Sequence, residues 1–369
     1  MVLGIEADHA NKEPRTGVEA VCWQIIEHLK KVVPSEVRVI LYSRFPLKGE
    51  LGILPLNWES KILPWPLGKL WSQTRLTSEL WKNPPDIYFA PGQLVPFFYT
   101  PKNTVTFLHD SAFRVFPSAY NFWGRQYLKL MDRQIIRASK FIVTSSEFNK
   151  VEIMRLYGKK ANNKVRVVPL GFSTEFNEAK KDQAVLDRYN VKSPYILYVG
   201  RVEEKKNIIR LVQAYNEVRS KTICQLVLVG KPRVGHDKIA NEITKSQYQK
   251  DIKELGFVAK EDLPAFYASA TVFAFPSLYE GFGLPVLEAF AAGIPVLTSK
   301  GTGAAEVGGN AVLTVDPDSV IEIANGLSKL LGNSGLRYEL VQKGRARLKD
   351  FSWDKTALGI WEIIRNCQP

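Results

Sequence analysis

The stretch Phe275-Pro-Ser-Leu-Tyr-Glu280-Gly-Phe-Gly-Leu-Pro285-Val-Leu-Glu288-Ala289 reads as a strand end, a glycine-rich turn and a helix start. Pro285 falls in the first helical turn, where its missing N–H costs nothing. Gly281 and Gly283 let the backbone approach a ligand closely. The free N–H groups around Phe282 and Leu284, at the start of the helix, suit a phosphate. Glu288 stands about one turn into the helix and Glu280 precedes it, so both carboxylates are expected to point into one pocket. A carboxylate beside a phosphate site accepts hydrogen bonds from polyol hydroxyls. Spacing alone supports equally well a plain glycine-rich turn whose carboxylate stabilises the helix dipole by about 0.3–1 kcal/mol.

Strand–turn–helix units of this kind run along the whole chain, the signature of a parallel α/β architecture. Strands are expected at Val2–Ala7, Val37–Tyr42, Ile87–Ala90, Val105–Leu108, Phe141–Thr144 and Val165–Val168. Val18, Val21, Cys22, Ile25, Ile26 and Leu29 recur at helical spacing between the first two. Helices at about 124–137 and 146–157 follow later in this half. The pattern restarts after Pro169-Leu170-Gly171, with strands at Tyr195–Val199, Gln225–Val229, Thr271–Phe275 and Pro295–Thr298, and helices near 261–269 and from Leu284. The chain is therefore read as two doubly wound, Rossmann-like domains at 1–172 and 173–350, with a terminal helical segment at 351–369 returning to the first. Gly301-Thr-Gly303-Ala-Ala-Glu306 falls short of G-x-G-x-x-G, and no G-x-x-x-x-G-K-[ST] occurs. Dehydrogenases and P-loop NTPases are thereby disfavoured.

Composition agrees with two soluble domains: 369 residues, 45% hydrophobic and 24% charged. No secretory signal is read at the N-terminus, and the longest uncharged stretch of the second half, Leu263–Tyr279, is broken by Pro264 and Pro276, so no membrane span is expected. Cys22, Cys224 and Cys367 form no framework, and the four histidines have no metal-ligand spacing, so a cytoplasmic, metal-free, disulfide-free protein is expected. The net charge of +13 favours anionic partners such as nucleotides or a membrane surface. Nucleic acid is disfavoured because the basic residues form no stripe with interleaved aromatics.

Four further places carry candidate chemistry. In Val199-Gly200-Arg201-Val-Glu-Glu-Lys205-Lys206-Asn207, Arg201 follows a strand and Lys206 is expected to start a helix, where a cation opposes the dipole. Two such cations stabilise a departing diphosphate without a metal, although an exposed charged loop fits the same letters. His109 and Asp110 end the strand Val105–Leu108, where a structural histidine is the plainer reading. Arg15-Thr16-Gly17 precedes the first helix, with Glu19 in its first turn opposing a phosphate there. The aromatic region 58–101, with Trp58, Trp65, Trp71 and Trp81, is either core or a surface for a sugar or lipid head group. Its basic neighbours Lys61, Lys69, Arg75 and Lys82 suit an anionic bilayer.

The block PSLYEGFGLPVLEA closely resembles the retaining nucleotide-sugar glycosyltransferases of family 4, including mannosyltransferase-like group 1 glycosyltransferases, with Glu280 and Glu288 meeting their E-x7-E motif. The similarity continues through 291–297, 305–309, 315–317 and 351–353. It implies the two-domain GT-B fold with the acceptor on the N-terminal side and the donor on the C-terminal side of a central cleft. It also implies that Glu288 holds the donor ribose, Glu280 contacts the transferred sugar and the backbone of Phe282–Leu284 meets the diphosphate. Arg201 and Lys206 match the family's cation pair, with Lys205 as rival, and His109 matches a histidine contacting the transferred sugar. Asp110 orients that histidine or touches the acceptor. Gly17 departs from the family's two adjacent glycines. Base contacts are expected from the backbone around Gly256, Phe257 and Val258. The resemblance implies retaining, metal-independent, cofactor-free transfer of a hexose, mannose favoured, from GDP-mannose or a UDP-sugar to a glycan or lipid-linked glycan, with a possible anionic membrane surface as partner. A sugar-nucleotide epimerase of the same fold and a non-catalytic glycan-assembly subunit are the rival readings.

Overall fold

A computed structural model describes residues 1–15, 17–67, 70–117 and 120–367. It divides into two compact units, one comprising Met1–Arg114, Phe122–Gly171 and Phe351–Pro369, the other Val115–Asn121 and Phe172–Asp350.

The first unit is built on seven parallel strands: β1 (Val2–Glu6), β2 (Arg38–Ser43), β3 (Trp58–Ile62), β4 (Ile87–Ala90), β5 (Thr104–Phe107), β6 (Phe141–Thr144) and β7 (Val165–Val167). Their spatial order is β3-β2-β1-β4-β5-β6-β7. The second has six: β8 (Tyr195–Val199), β9 (Gln225–Val229), β10 (Ile252–Gly256), β11 (Val272–Phe275), β12 (Val296–Ser299) and β13 (Val312–Val315), in the order β10-β9-β8-β11-β12-β13. Central strands are covered by helices on both faces, so they read as unbroken apolar runs. Tyr195 to Tyr198 and Val272 to Ala274 are fully buried.

Strand order reverses between β1 and β4 in one unit and between β8 and β11 in the other. The crevice outside the carboxyl ends of such strands is where open α/β sheets bind ligands. In the first unit those ends lead into residues 7–11, 91–93 and 108–111; in the second they lead into 200–207 and 276–283.

Most expected elements form within a residue or two, but β3, β10 and β13 were not foreseen. All three are edge strands. With one side open, β3 and β10 carry polar letters, as in Trp-Glu-Ser-Lys-Ile of β3. The final helix, Trp353–Arg365, belongs to the first unit: Thr356 donates to the Pro169 carbonyl at 2.8 Å, and the Lys140 ammonium to that of Cys367 at 2.9 Å. All three cysteines are free and buried.

The aromatic region splits. Trp58 and Trp71 are core residues, and Trp71 donates to the Leu63 carbonyl at 2.8 Å. Trp65 packs against the same core, whereas Trp81 is exposed. Lys61 and Arg75 converge on the buried Glu79, at 2.5 and 3.5 Å. A carboxylate therefore already answers two of the four cations assigned to a bilayer surface, and Lys69 lies outside the described residues.

Candidate active site

In the second unit, β8 ends at Val199, so Arg201 emerges at the carboxyl edge of the sheet. Its side chain is exposed, and its carbonyl accepts a hydrogen bond from the Tyr198 hydroxyl at 2.8 Å. Lys206 does not start the following helix, as its position in the sequence suggests. It closes a short 3-10 turn, Glu204–Lys206, and Asn207 turns left-handed (φ 62°) before the helix Ile208–Arg219 begins. The Asn207 amide pins this corner by donating to the carbonyls of Pro276 and Pro317, at 3.0 and 2.7 Å.

So placed, the Lys206 ammonium donates to the Glu280 carboxylate and lies 5.1 Å from the centroid of the Phe275 ring. The two side chains retain 12% and 19% exposure, so the pair is reachable by a ligand. Lys205, the rival cation, is instead 3.5 Å from the buried Glu203. Lys206 is the one beside the glycine-rich turn.

That turn runs from Glu280 into the helix Leu284–Ala291, with Pro285 in the first turn. Gly283 takes φ 103°, a conformation few side chains tolerate, and no side chain caps the helix start. The turn is clamped from behind. The Gly303 N–H donates to the Glu280 carbonyl at 2.8 Å, and a Cβ on Gly303 would stand 2.3 Å from the Gly281 oxygen. Gly303 of the imperfect dinucleotide motif therefore serves close packing of one helix start on the back of another loop, whereas Gly301 takes φ 68° with open space over its Cα.

Glu288 has a separate partner. The Tyr267 hydroxyl donates to its carboxylate at 2.8 Å. Burial pushes the Glu288 pKa up from its ordinary 4.5 to about 7, against the opposite pull of that hydrogen bond. Tyr267 was not foreseen, because nothing in the sequence pairs position 267 with 288. The expected nucleotide-base corner follows β10. There Phe257 is exposed beneath the Lys231 ammonium, 4.9 Å from its ring centroid, and Val258 is buried. The Gly256 carbonyl is already engaged by the Gly230 N–H at 2.7 Å.

In the first unit, His109 follows β5. Its Nε2 meets the Pro91 carbonyl at 2.8 Å, which requires Nε2 to carry the proton and donate. Burial lowers its pKa from 6.5 to about 4, so the ring is neutral at pH 7 and Nδ1 is an acceptor. Asp110 is engaged locally: its carboxylate accepts from the Ala112 N–H at 3.1 Å. Gly17 takes φ 53° at the start of the helix Val18–Val32, with open space over its Cα. Thr16 lies outside the described residues, and Arg15 is turned back onto Trp23, 5.1 Å from the ring centroid.

A cavity of about 780 Å³ in the second unit is lined by Pro194, Thr271 and Pro295, which precede β8, β11 and β12. It therefore opens at the amino edge of the sheet, opposite the residues above. Among the described residues no group of three or more His, Cys, Asp or Glu is arranged to hold a metal ion, and no helix is long and apolar enough to cross a membrane.

Residues 180–347 match the family described as Glycosyl transferases group 1, and residues 15–176 match Glycosyltransferase Family 4. The O-antigen chain mannosyltransferase B of Escherichia coli is 33% identical over 267 residues, 70% of this chain and 70% of that one. Among solved structures, a sucrose-phosphate synthase from Thermosynechococcus elongatus superposes with a TM-score of 0.77 at 20% identity, covering 99% of this chain and 98% of that one. The HepE protein of Anabaena, in complex with UDP-glucose, superposes with a TM-score of 0.74 at 16% identity, covering 99% and 100%.

Proposed function

The chain belongs to the group 1 glycosyl transferases and has their GT-B fold, and from that premise we propose retaining transfer of a hexose from a nucleotide-sugar to a glycan or lipid-linked glycan. Mannose is the favoured sugar, because a relative 33% identical over 267 residues is a mannosyltransferase. A nucleotide-sugar donor is favoured by the likeness to a protein that holds UDP-glucose.

The observation that carries the reading is the Lys206–Glu280 pair beside an uncapped helix start, with Arg201 exposed at the end of β8. A diphosphate gathers negative charge as the bond to the sugar breaks, and preorganised cations and N–H groups stabilise that charge most when it is greatest. Lys206 then exchanges part of its contact with Glu280 for a phosphate oxygen, which frees the Glu280 carboxylate to receive a sugar hydroxyl. Glu288 receives the ribose hydroxyls. The acceptor oxygen bonds to the anomeric carbon on the face from which the phosphate oxygen leaves with its electron pair, and the hydroxyl proton passes to that oxygen. Arg201 and Lys206 supply the positive charge for this step, so we propose that it proceeds without a metal.

Anomeric NMR of the product formed from GDP-mannose and a mannose-terminated acceptor tests the reading. The product is expected to keep the α configuration, with EDTA changing the rate less than twofold. Inversion sinks the stereochemical assignment, and a strict metal requirement sinks the charge assignment. Conversion of the donor sugar into its epimer without acceptor favours the epimerase instead.

We further propose contact with an anionic bilayer, carried by the helix Phe122–Ala138 rather than by the aromatic region 58–101. Trp123, Tyr127 and Leu130 are exposed along one face of this helix, followed by the exposed Arg133 and Arg137.

A further inference from the structure

At the carboxyl end of β1 sits a carboxylate with no solvent exposure, Glu6, and both of its hydrogen-bonding contacts are to one residue. The His9 N–H donates to Oε1 at 3.0 Å, and His9 Nδ1 lies 3.3 Å from Oε2. A carboxylate only accepts, so Nδ1 carries a proton, and the neutral form of the ring with that tautomer has Nε2 as an acceptor. His9 keeps 18% side-chain exposure. A buried carboxylate that fixes the tautomer and orientation of a partly exposed imidazole is how proteins aim a ring nitrogen at a ligand.

Backbone is shaped around this dyad. A Cβ on Gly92 would stand 2.4 Å from His9 Nδ1 and 2.9 Å from Glu6 Oε2, so that position admits no side chain while the dyad holds. Gly92 follows Pro91, whose carbonyl accepts from His109. The Pro91-Gly92 corner therefore seats both imidazoles, one beyond β1 and one beyond β5, with β4 between them. The two strands, β1 and β5, lie two strand spacings, about 10 Å, apart. Each offers a lone pair, Nε2 of His9 and Nδ1 of His109, at the point where strand order reverses.

Resting on the transferase reading, and on the resemblance that matches His109 to a histidine contacting the transferred sugar, we propose that His9 is a sugar-binding residue of the acceptor subsite. Its Nε2 accepts a hydrogen bond from a hydroxyl of the acceptor sugar, and Glu6 is the positioning residue that holds the ring for it.

The probes are GDP and methyl α-mannoside, with imidazole nitrogens followed by NMR in the full chain. With GDP present, methyl α-mannoside is expected to shift His9 Nε2 saturably in the wild type. Glu6→Gln, which keeps an acceptor for the His9 N–H but offers an amide to Nδ1, is expected to lose that shift while its Tm stays close to wild type. In turnover, His9→Ala should raise KM for methyl α-mannoside at least tenfold and change KM for GDP-mannose less than twofold, with His9→Gln recovering part of the loss. An unmoved His9 resonance overturns the inference. So does a response confined to the adjacent cavity lined by Asp8, Arg44 and Phe45. If the wild type neither hydrolyses nor transfers from GDP-mannose, the donor assignment fails, and the His9 resonance still reports independently on the sugar.

Discussion

At the scale of single residues, the proposed donor site rests on a carboxylate held at a cost. Burial raises the Glu288 pKa to about 7, so the folded protein binds this proton more tightly than the unfolded chain. The sign follows by linkage: the group's contribution to stability is present below about pH 4.5 and is lost as pH climbs through 7. The loss is on the order of 3–4 kcal/mol at about 1.4 kcal/mol per pKa unit. Glu288→Gln keeps an acceptor for the Tyr267 hydroxyl without the charge. It is expected to stabilise the free protein by about 1–2 kcal/mol at pH 8, with the gain vanishing below about pH 4.5. Bonds from ribose hydroxyls favour the ionised form, so wild-type affinity for GDP should rise between pH 5.5 and 7.5 and then level. In the variant it should be weaker at pH 8 by at least tenfold, since a hydrogen bond to a charged group contributes about 1.5–3 kcal/mol. Denaturant melts and calorimetric titrations across that range measure both, and an affinity indifferent to pH in the wild type rules the ribose role out. The positions of Glu280, Glu288 and Arg201 near strand ends were legible in the sequence from local spacing, whereas the roles assigned to them and to Lys206 come from the family resemblance. Tyr267 and the Glu6–His9 dyad were not: one partner is twenty-one residues from Glu288, and the other depends on Gly92.

At the scale of elements, legibility followed burial. β8 and β11 read clearly because they are continuous apolar runs buried on both sides, whereas the edge strands β3 and β10 lose that run. Lys206 was misplaced for a related reason, since the letters Lys-Lys-Asn-Ile do not reveal that Asn207 turns left-handed and delays the helix. Contact between elements is less visible still. Gly301 and Gly303 resembled a failed dinucleotide motif, and what the structure adds is the backbone of Glu280–Gly281 lying against Gly303. Gly303→Ala must therefore push that turn, carrying Glu280 away from Lys206. Overpacking of this kind costs about 1–3 kcal/mol. The expected result is a folded protein with a lower Tm and a kcat/KM reduced at least a hundredfold. Gly332→Ala, at a position where nothing lies within 4 Å of the new methyl, is the control and should leave turnover unchanged. Equal activity in the two variants would show that the clamp does not matter.

At the scale of the whole molecule, the net charge of +13 favours an anionic partner beyond one nucleotide. Ion pairs already answer part of the basic surface, as Glu79 does for Lys61 and Arg75. The exposed face of the helix Phe122–Ala138 differs, because Arg133 and Arg137 continue a line begun by Trp123, Tyr127 and Leu130. An aromatic and aliphatic stripe with basic residues beyond it suits the interfacial region of an anionic bilayer, where each Lys or Arg near the surface contributes about 1 kcal/mol. Co-sedimentation with vesicles of phosphatidylglycerol and phosphatidylcholine is expected to recover the protein at low salt, with phosphatidylcholine alone recovering little. Arg133→Glu with Arg137→Glu should weaken binding at least tenfold, because two attractive charges become repulsive. Trp123→Ser should weaken binding in high salt as well, because its contribution is apolar and unscreened. If both variants bind like the wild type, the helix is not the contact. If phosphatidylcholine vesicles recover the protein equally well, charge does not drive the association.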